Sequence, residues 1–185
     1  MSSRVAVVVA KYQENTGWVS ALPKRWEVFV YDKSRDYVNV GREAETYARF
    51  VMEHWDRLAS WDFIVFLQGN PFDHLDSVPE PDDAIKAAVG LGAMLRCDGA
   101  GRPHHHVALP VEECHAALFP DLPPPEEWEF AVGGQYAVPT RAIAGLGRQF
   151  WTHLHAMLFD QKICAWTMER LWLSVFTRHT TTHVL

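Results

Sequence analysis

Cysteine is scarce in this chain. The three present, Cys97, Cys114 and Cys164, are odd in number and lack the paired spacing of a metal site. Reduced, buried thiols are expected, as in a cytoplasmic protein rather than a disulfide scaffold. Long apolar runs are also missing. No segment reaches the roughly 18–20 residues that cross a bilayer. The run from Val5 to Ala10 is only six residues long, short for a signal peptide and suited to a first strand. No membrane partner is expected. Excess positive charge is absent too: a net charge of −6 supplies no general attraction to nucleic acid or anionic lipid. There is no Gly-x-Ser-x-Gly elbow and no Gly-rich phosphate or dinucleotide fingerprint, since Gly90-Leu91-Gly92 sits inside a helical pattern. No internal repeat or linker divides the chain.

What is present describes a globular protein. At 185 residues, with 48% hydrophobic and 22% charged residues, the chain makes one domain with a substantial core. Eight tryptophans are many for this length. They serve as core, and some could line a pocket for a flat or sugar-like ligand.

Apolar runs predict strands over 5–10, 26–31 and 63–67, with a short helix over 18–22 closed by Pro23. From Gly41, the positions Ala44, Tyr47, Ala48, Val51, Met52 and Trp55 share one helical face. Pro81-Asp82-Asp83 starts an expected helix that continues over 84–95. Residues 98–128, with His104, His105, His106 and Pro123-Pro124-Pro125, read as a long Pro/His-rich loop. A strand over 129–138 is interrupted by Gly133-Gly134, and helices follow over 141–159 and 166–176. In the last, Met168, Leu171, Trp172 and Val175 form the apolar stripe, with Glu169 and Arg170 off it. Strands alternating with helices give the α/β class: one domain over residues 1–185, a mostly parallel sheet flanked by helices.

Three of the strands end in polar clusters: Tyr12-Gln13-Glu14-Asn15, Asp32-Lys33-Ser34, and Gln68-Gly69-Asn70-Pro71-Phe72-Asp73-His74. In open α/β sheets ligands bind beyond the carboxyl ends of the strands, so parallel neighbours would bring all three clusters to one rim. The histidines do not make a metal site by spacing. Neighbours among His104–His106 point apart in extended chain, and His153 and His155 do not share a helix face.

The order of motifs resembles a widespread uncharacterised family related to the GT-A (Rossmann-related) fold of nucleotide-sugar glycosyltransferases. The matching pieces are Ala10-Lys11-Tyr12-Gln13-Glu14 with Trp18, Tyr31-Asp32-Lys33, and Asn39-Val40-Gly41-Arg42-Glu43 through Tyr47. They continue with Phe66-Leu67-Gln68 through His74, Gly133-Gly134-Gln135-Tyr136-Ala137-Val138, and Glu169-Arg170-Leu171-Trp172. The resemblance implies sugar transfer from a nucleotide-sugar donor, a UDP-sugar above all, to a hydroxyl acceptor, with inversion. Tyr12, Glu14, Asp32, Lys33, Arg42, Gln68, Gly69 and Asn70 would bind the donor. Asp32 would take the ribose, and Arg42 with the helix start the diphosphate. Glu169 would be the general base, with Asp73 a second catalytic candidate. Gly133, Gly134, Gln135 and Arg170 would lie on the acceptor side. Gln68-Gly69-Asn70 stands where many GT-A enzymes carry Asp-x-Asp, and amides are poorer ligands for Mn²⁺ or Mg²⁺ than carboxylates. A divalent metal would then fall to Asp73 and His74, with His179 or His183 as a further ligand. The acceptor could be a glycan, a small metabolite or a hydroxymethylated base in DNA. Arg141, Arg148, Arg170 and Arg178, if gathered on the acceptor side, would favour DNA. A metal-dependent phosphate or sugar hydrolase using Asp73, His74 and Glu169 is an alternative, as is a non-catalytic nucleotide-sugar-binding module.

Overall fold

Val5–Lys11 forms strand β1, whose first five residues are buried. Val5, Val7 and Val9 face one side and Ala6 and Val8 the other, so β1 needs cover on both faces. It finds that place at the centre of a parallel trio. Glu27–Asp32 (β2) pairs on one side and Phe63–Gln68 (β3) on the other, with Val7 opposite both Val28 and Val65. The structure is a computed structural model that describes residues 2–81, 85, 87–102, 108–160, 162–163 and 165–177. Val89–Gly90 (β4), Met94–Cys97 (β5), Trp128–Ala131 (β6) and Tyr136–Pro139 (β7) follow. The main sheet runs β2-β1-β3-β7-β4. β7 is antiparallel to both β3 and β4, which makes the sheet mixed, parallel from β2 to β3. β5 and β6 form a separate antiparallel ribbon.

The helices are Arg42–Glu53 (α1), Val111–Leu118 (α2), Thr140–Gly145 (α3), Gly147–Phe159 (α4) and Ala165–Thr177 (α5). The expected stripe of α1 is buried on the sheet face formed by Ala6, Val8, Ile64 and Phe66, beneath Trp151 of α4 and Trp172 and Phe176 of α5. Each fully buried side chain of this size contributes about 1.5–3 kcal/mol. The opposite face, with Val7, Val65 and Leu67, is covered by Trp26, Leu75 and Leu91 from irregular segments. Five tryptophans, Trp26, Trp61, Trp128, Trp151 and Trp172, are core. Cys97 and Cys114 are buried. Among the described residues no helix is long and apolar enough to cross a membrane.

Four expectations need correction. The described part of 84–95 holds the strands β4 and β5 instead of a helix; Gly90 and Gly92 weaken helix there, and Gly92 sits at φ 83. The loop over 98–128 contains α2, with Val111, Cys114, His115 and Leu118 buried at helical spacing. The strand over 129–138 is two strands in different sheets, parted at Gly133 (φ 79) and Gly134 (φ 63). The helix over 141–159 is broken into α3 and α4 before Gly147, at φ 79. His104–His106, Cys164, Arg178, His179, His183 and most of the Pro81-Asp82-Asp83 helix start lie outside the described residues.

Candidate functional site

The parallel strands end level: Lys11 pairs with Asp32, and Ala10 with Gln68. Their ends and the start of α1 surround a cleft of about 380 Å³. β1 and its turn contribute Lys11, Tyr12 and Glu14. The segment from β2 into α1 contributes Lys33, Asn39, Arg42 and Glu43, and the turn after β3 contributes Gln68, Asn70 and Asp73. The three expected clusters therefore do converge.

The two turns are braced against each other. The Glu14 carboxylate accepts the backbone N–H groups of Tyr12 at 2.7 Å and Gln13 at 3.1 Å. It lies so close to Gly69 that a Cβ there would come within 2.6 Å of its oxygen; Gly69 thus serves the turn by lacking a side chain. Trp18 donates its indole N–H to the Gly69 carbonyl at 2.9 Å. Gln135, fully buried, accepts the Gln68 N–H at 3.4 Å and donates to the Pro71 carbonyl at 3.3 Å. Gln135 is thereby a brace of the β3 turn, whereas its expected place was the acceptor side. Asn70 donates to Asp73 at 2.8 Å.

Three cations border the cleft, and their partners differ. Lys11 is held by Asp32. Asp32 also accepts the Ser34 N–H at 3.0 Å and its hydroxyl at 2.5 Å. The hydrogen bond from Lys11 above all, then those from Ser34, hold the Asp32 carboxyl down at about 2. Asp32, expected at a ribose, is not among the cleft-lining residues and instead orients Lys11. Lys33 donates to the carbonyls of Val40 and Arg42, each at 2.6 Å, and pairs with Glu45 at 2.7 Å. Burial pulls the Lys33 ammonium down despite Glu45. Arg42 is different: its side chain is 54% exposed, against 23% for Lys11 and 3% for Lys33. Its guanidinium lies over the Trp166 ring at 4.7 Å. Arg42 has φ 47, the one positive φ at a non-glycine among the described residues, a conformation costing about 1–2 kcal/mol. Backbone strain of this kind gathers at ligand clamps.

Two carboxylates lie near the helix start. Glu43, on the first turn of α1, faces the cleft with its side chain 11% exposed. Burial pushes its carboxyl up to about 7; its own backbone N–H and Arg42 pull against this, while Glu169 adds to it. Glu43 was not singled out by the sequence, although an acid immediately before the apolar stripe of α1 was the signal available. Glu169, with its side chain equally 11% exposed, is not among the cleft-lining residues. It accepts the Gly133 N–H at 2.9 Å on one oxygen and Arg170 at 2.5 Å on the other. Arg170 is itself buried, with its guanidinium 4.5 Å from the Phe130 ring centre. Gly133 packs against His74, and Gly134 lies beside Trp172 and Glu169.

Asp73 lines the cleft and His74 packs on Gly133. Among the described residues, no group of three or more His, Cys, Asp or Glu side chains is arranged to hold a metal ion.

No curated protein and no solved structure matches the chain. Residues 7–88, which carry most of β1, all of β2, β3 and α1, and every cleft-lining residue, match the model of a family described as Protein of unknown function (DUF3431).

Proposed function

We propose that the protein is a nucleotide-sugar glycosyltransferase of GT-A-like character that moves a sugar to a hydroxyl acceptor with inversion. The observation carrying this reading is the single cleft at the carboxyl ends of three parallel strands, bordered by cations, amides and carboxylates. Its volume falls in the range of small-molecule sites. Arg42 and the first N–H groups of α1 suit the donor diphosphate, which is doubly anionic and accepts bidentate hydrogen bonds. Tyr12 offers an aromatic face for a base, and Glu14, Asn39, Gln68 and Asn70 offer partners for sugar and ribose hydroxyls. In the inverting step the acceptor oxygen attacks the anomeric carbon, the diphosphate leaves with the bonding pair, and a carboxylate takes the acceptor's proton. The resemblance assigns that proton to Glu169, and Glu43 is the second carboxylate within the same group of residues.

A small or glycan acceptor suits the charges better than DNA. Arg141 borders a different surface, with Arg4 and Phe63 at the amino end of β3, Arg148 faces Asp56, and Arg170 is buried on Glu169. These arginines do not gather beside the cleft.

Thermal shift with UDP- and GDP-sugars, each with and without Mn²⁺, tests the reading. A ligand at a hundredfold excess over its Kd stabilises by about 2.7 kcal/mol, or roughly 5–10 °C for a chain of this size. A UDP-sugar is expected to give such a shift. No shift with any nucleotide sinks the proposal. Binding followed by sugar release to water alone would turn it into a hydrolase, and binding without turnover into a non-catalytic module. A shift that appears only with Mn²⁺ would return the metal to Asp73 and His74.

A further inference from the structure

We infer that Glu43, on the first turn of α1, is the carboxylate that accepts the proton of the attacking hydroxyl, with Glu169 acting as a brace behind it. The inference rests on the transferase reading and assigns a role within its cleft. A general base must reach the acceptor oxygen within hydrogen-bond distance. Glu43 lines the cleft; Glu169 does not. Both Glu169 oxygens are engaged, one by the Gly133 N–H and one by Arg170, so moving a proton onto Glu169 would break a buried ion pair. That pair instead fixes the left-handed bend at Gly133, which carries the wall against His74 and Gln68.

The surroundings of Glu43 keep its carboxyl poised for proton transfer. Arg42, on its own helix, comes no closer than 3.5 Å and spends its face on Trp166. Lys33, just after β2, is saturated by Glu45 and two carbonyls. Glu169 from α5 adds like charge, and the Tyr47 phenol lies one turn along α1. The cleft is also lined by Lys11 at the end of β1, Glu14 from the turn after it and Asp73 from the β3 turn. Burial outweighs the pull of Arg42 at 3.5 Å and of Lys33 and raises the carboxyl, and the Glu43 value of about 7 is that of a base matched to neutral pH. The step balances. The acceptor O–H proton passes to the Glu43 carboxylate, the new C–O bond forms at the anomeric carbon, and the C–O bond to phosphate breaks with its electrons on the diphosphate. Glu43 then returns its proton to solvent.

The test follows UDP release from UDP-glucose with water as the attacking hydroxyl, from pH 5 to 9. It compares wild type, Glu43→Gln, Glu43→Asp and Glu169→Gln, with UDP affinity measured at each pH. Wild type should rise on one limb with its midpoint near 7. Glu43→Gln should lose the limb and about a hundredfold or more in turnover, while binding UDP within about threefold; Glu43→Asp should restore the limb at reduced rate. Glu169→Gln should keep the limb, its midpoint moved slightly down because a like charge has gone. If UDP binds and Glu43→Gln retains limb and turnover, Glu43 is overturned and the donor reading stands. If no nucleotide binds, the transferase reading falls and takes this inference with it. If UDP binds but wild type does not turn UDP-glucose over, infrared titration of the carboxyls decides. A titration near 7 that disappears in Glu43→Gln supports the assignment, and its absence overturns it.

Discussion

Lys33 meets Glu45 at 2.7 Å with both side chains sealed from solvent, 3% and 0% exposed. Glu45 also receives Arg49 at 2.5 Å and His155 of α4 at 2.8 Å. Because Lys33 holds the carbonyls of Val40 and Arg42 as well, one ammonium ties the end of β2 to the start of α1. It thereby fixes the strained Arg42 at the cleft rim. A buried pair of this kind adds little net stability over a well-packed apolar pair, but losing one member leaves the other charge without its partner.

Lys33→Met therefore should lower unfolding free energy by about 3 kcal/mol or more, or roughly 6–12 °C in Tm. Urea unfolding of the two proteins checks this. A loss under about 1 kcal/mol would mean that Arg49 and His155 alone satisfy Glu45.

The same cluster sets the acid limb of stability. Burial pushes the Glu45 carboxyl up, but the hydrogen bonds from His155 and Lys33, with the charges of Lys33 and Arg49, outweigh it and hold it at about 2. A depressed carboxyl contributes stability that is fully present above its unfolded value, 4.5. That contribution is lost as pH falls from there towards 2. Asp32 acts in the same direction through Lys11. Glu45→Gln should consequently show a shallower loss of unfolding free energy between pH 5 and 2.5 than wild type. Parallel curves for the two proteins would remove Glu45 from the acid limb.

The parallel trio and α1 were legible because their signals are local: unbroken apolar strands and one stripe from Ala44 to Trp55. The convergence of Tyr12, Lys33 and Gln68 on one rim followed from the same topology. What was not legible depends on partners distant in sequence. Asp32 suits a ribose by chemical type, yet Lys11 stands opposite it in the register and takes its carboxylate. Gln135 lies in a Gly-rich segment that resembles an acceptor wall, but reaches the β3 turn 64 residues away. Glu43 points into the cleft because Lys33 pins the chain just before and after Gly41, a constraint that no helical pattern records. The α2 helix was hidden for another reason: its buried face includes Cys114 and His115, which dilute an apolar stripe already surrounded by prolines.

Glu43 should make the protein less stable in alkali than its fold requires. Its folded value, about 7, exceeds the unfolded 4.5. Its contribution is therefore fully present below 4.5 and is lost as pH rises to about 7. Glu43→Gln removes the titration. Unfolding free energy at pH 8 should rise relative to wild type by an amount on the order of 3 kcal/mol, while the difference at pH 4 stays near zero. Chemical unfolding at the two pH values reads the contrast directly; equal offsets at both would show that the substitution acts through packing and not through charge.

Gly133→Ala tests the bend behind the cleft. Gly133 has φ 79, where a side chain costs about 1–2 kcal/mol. A Cβ there would stand 2.5 Å from the His74 ring. The ring or the bend must move, and either movement disturbs the Gly133 N–H bond to Glu169 and the wall beside Gln68. Stability should fall by about 2 kcal/mol or more, and UDP affinity by roughly tenfold, about 1.4 kcal/mol. Gly147→Ala is the control: it shares the left-handed backbone at φ 79 but meets nothing within 4 Å. It should cost only the backbone strain and leave UDP affinity unchanged. Equal loss of affinity in both variants would mean that the cleft responds to stability in general, and the bend at Gly133 would then have no special part in shaping it.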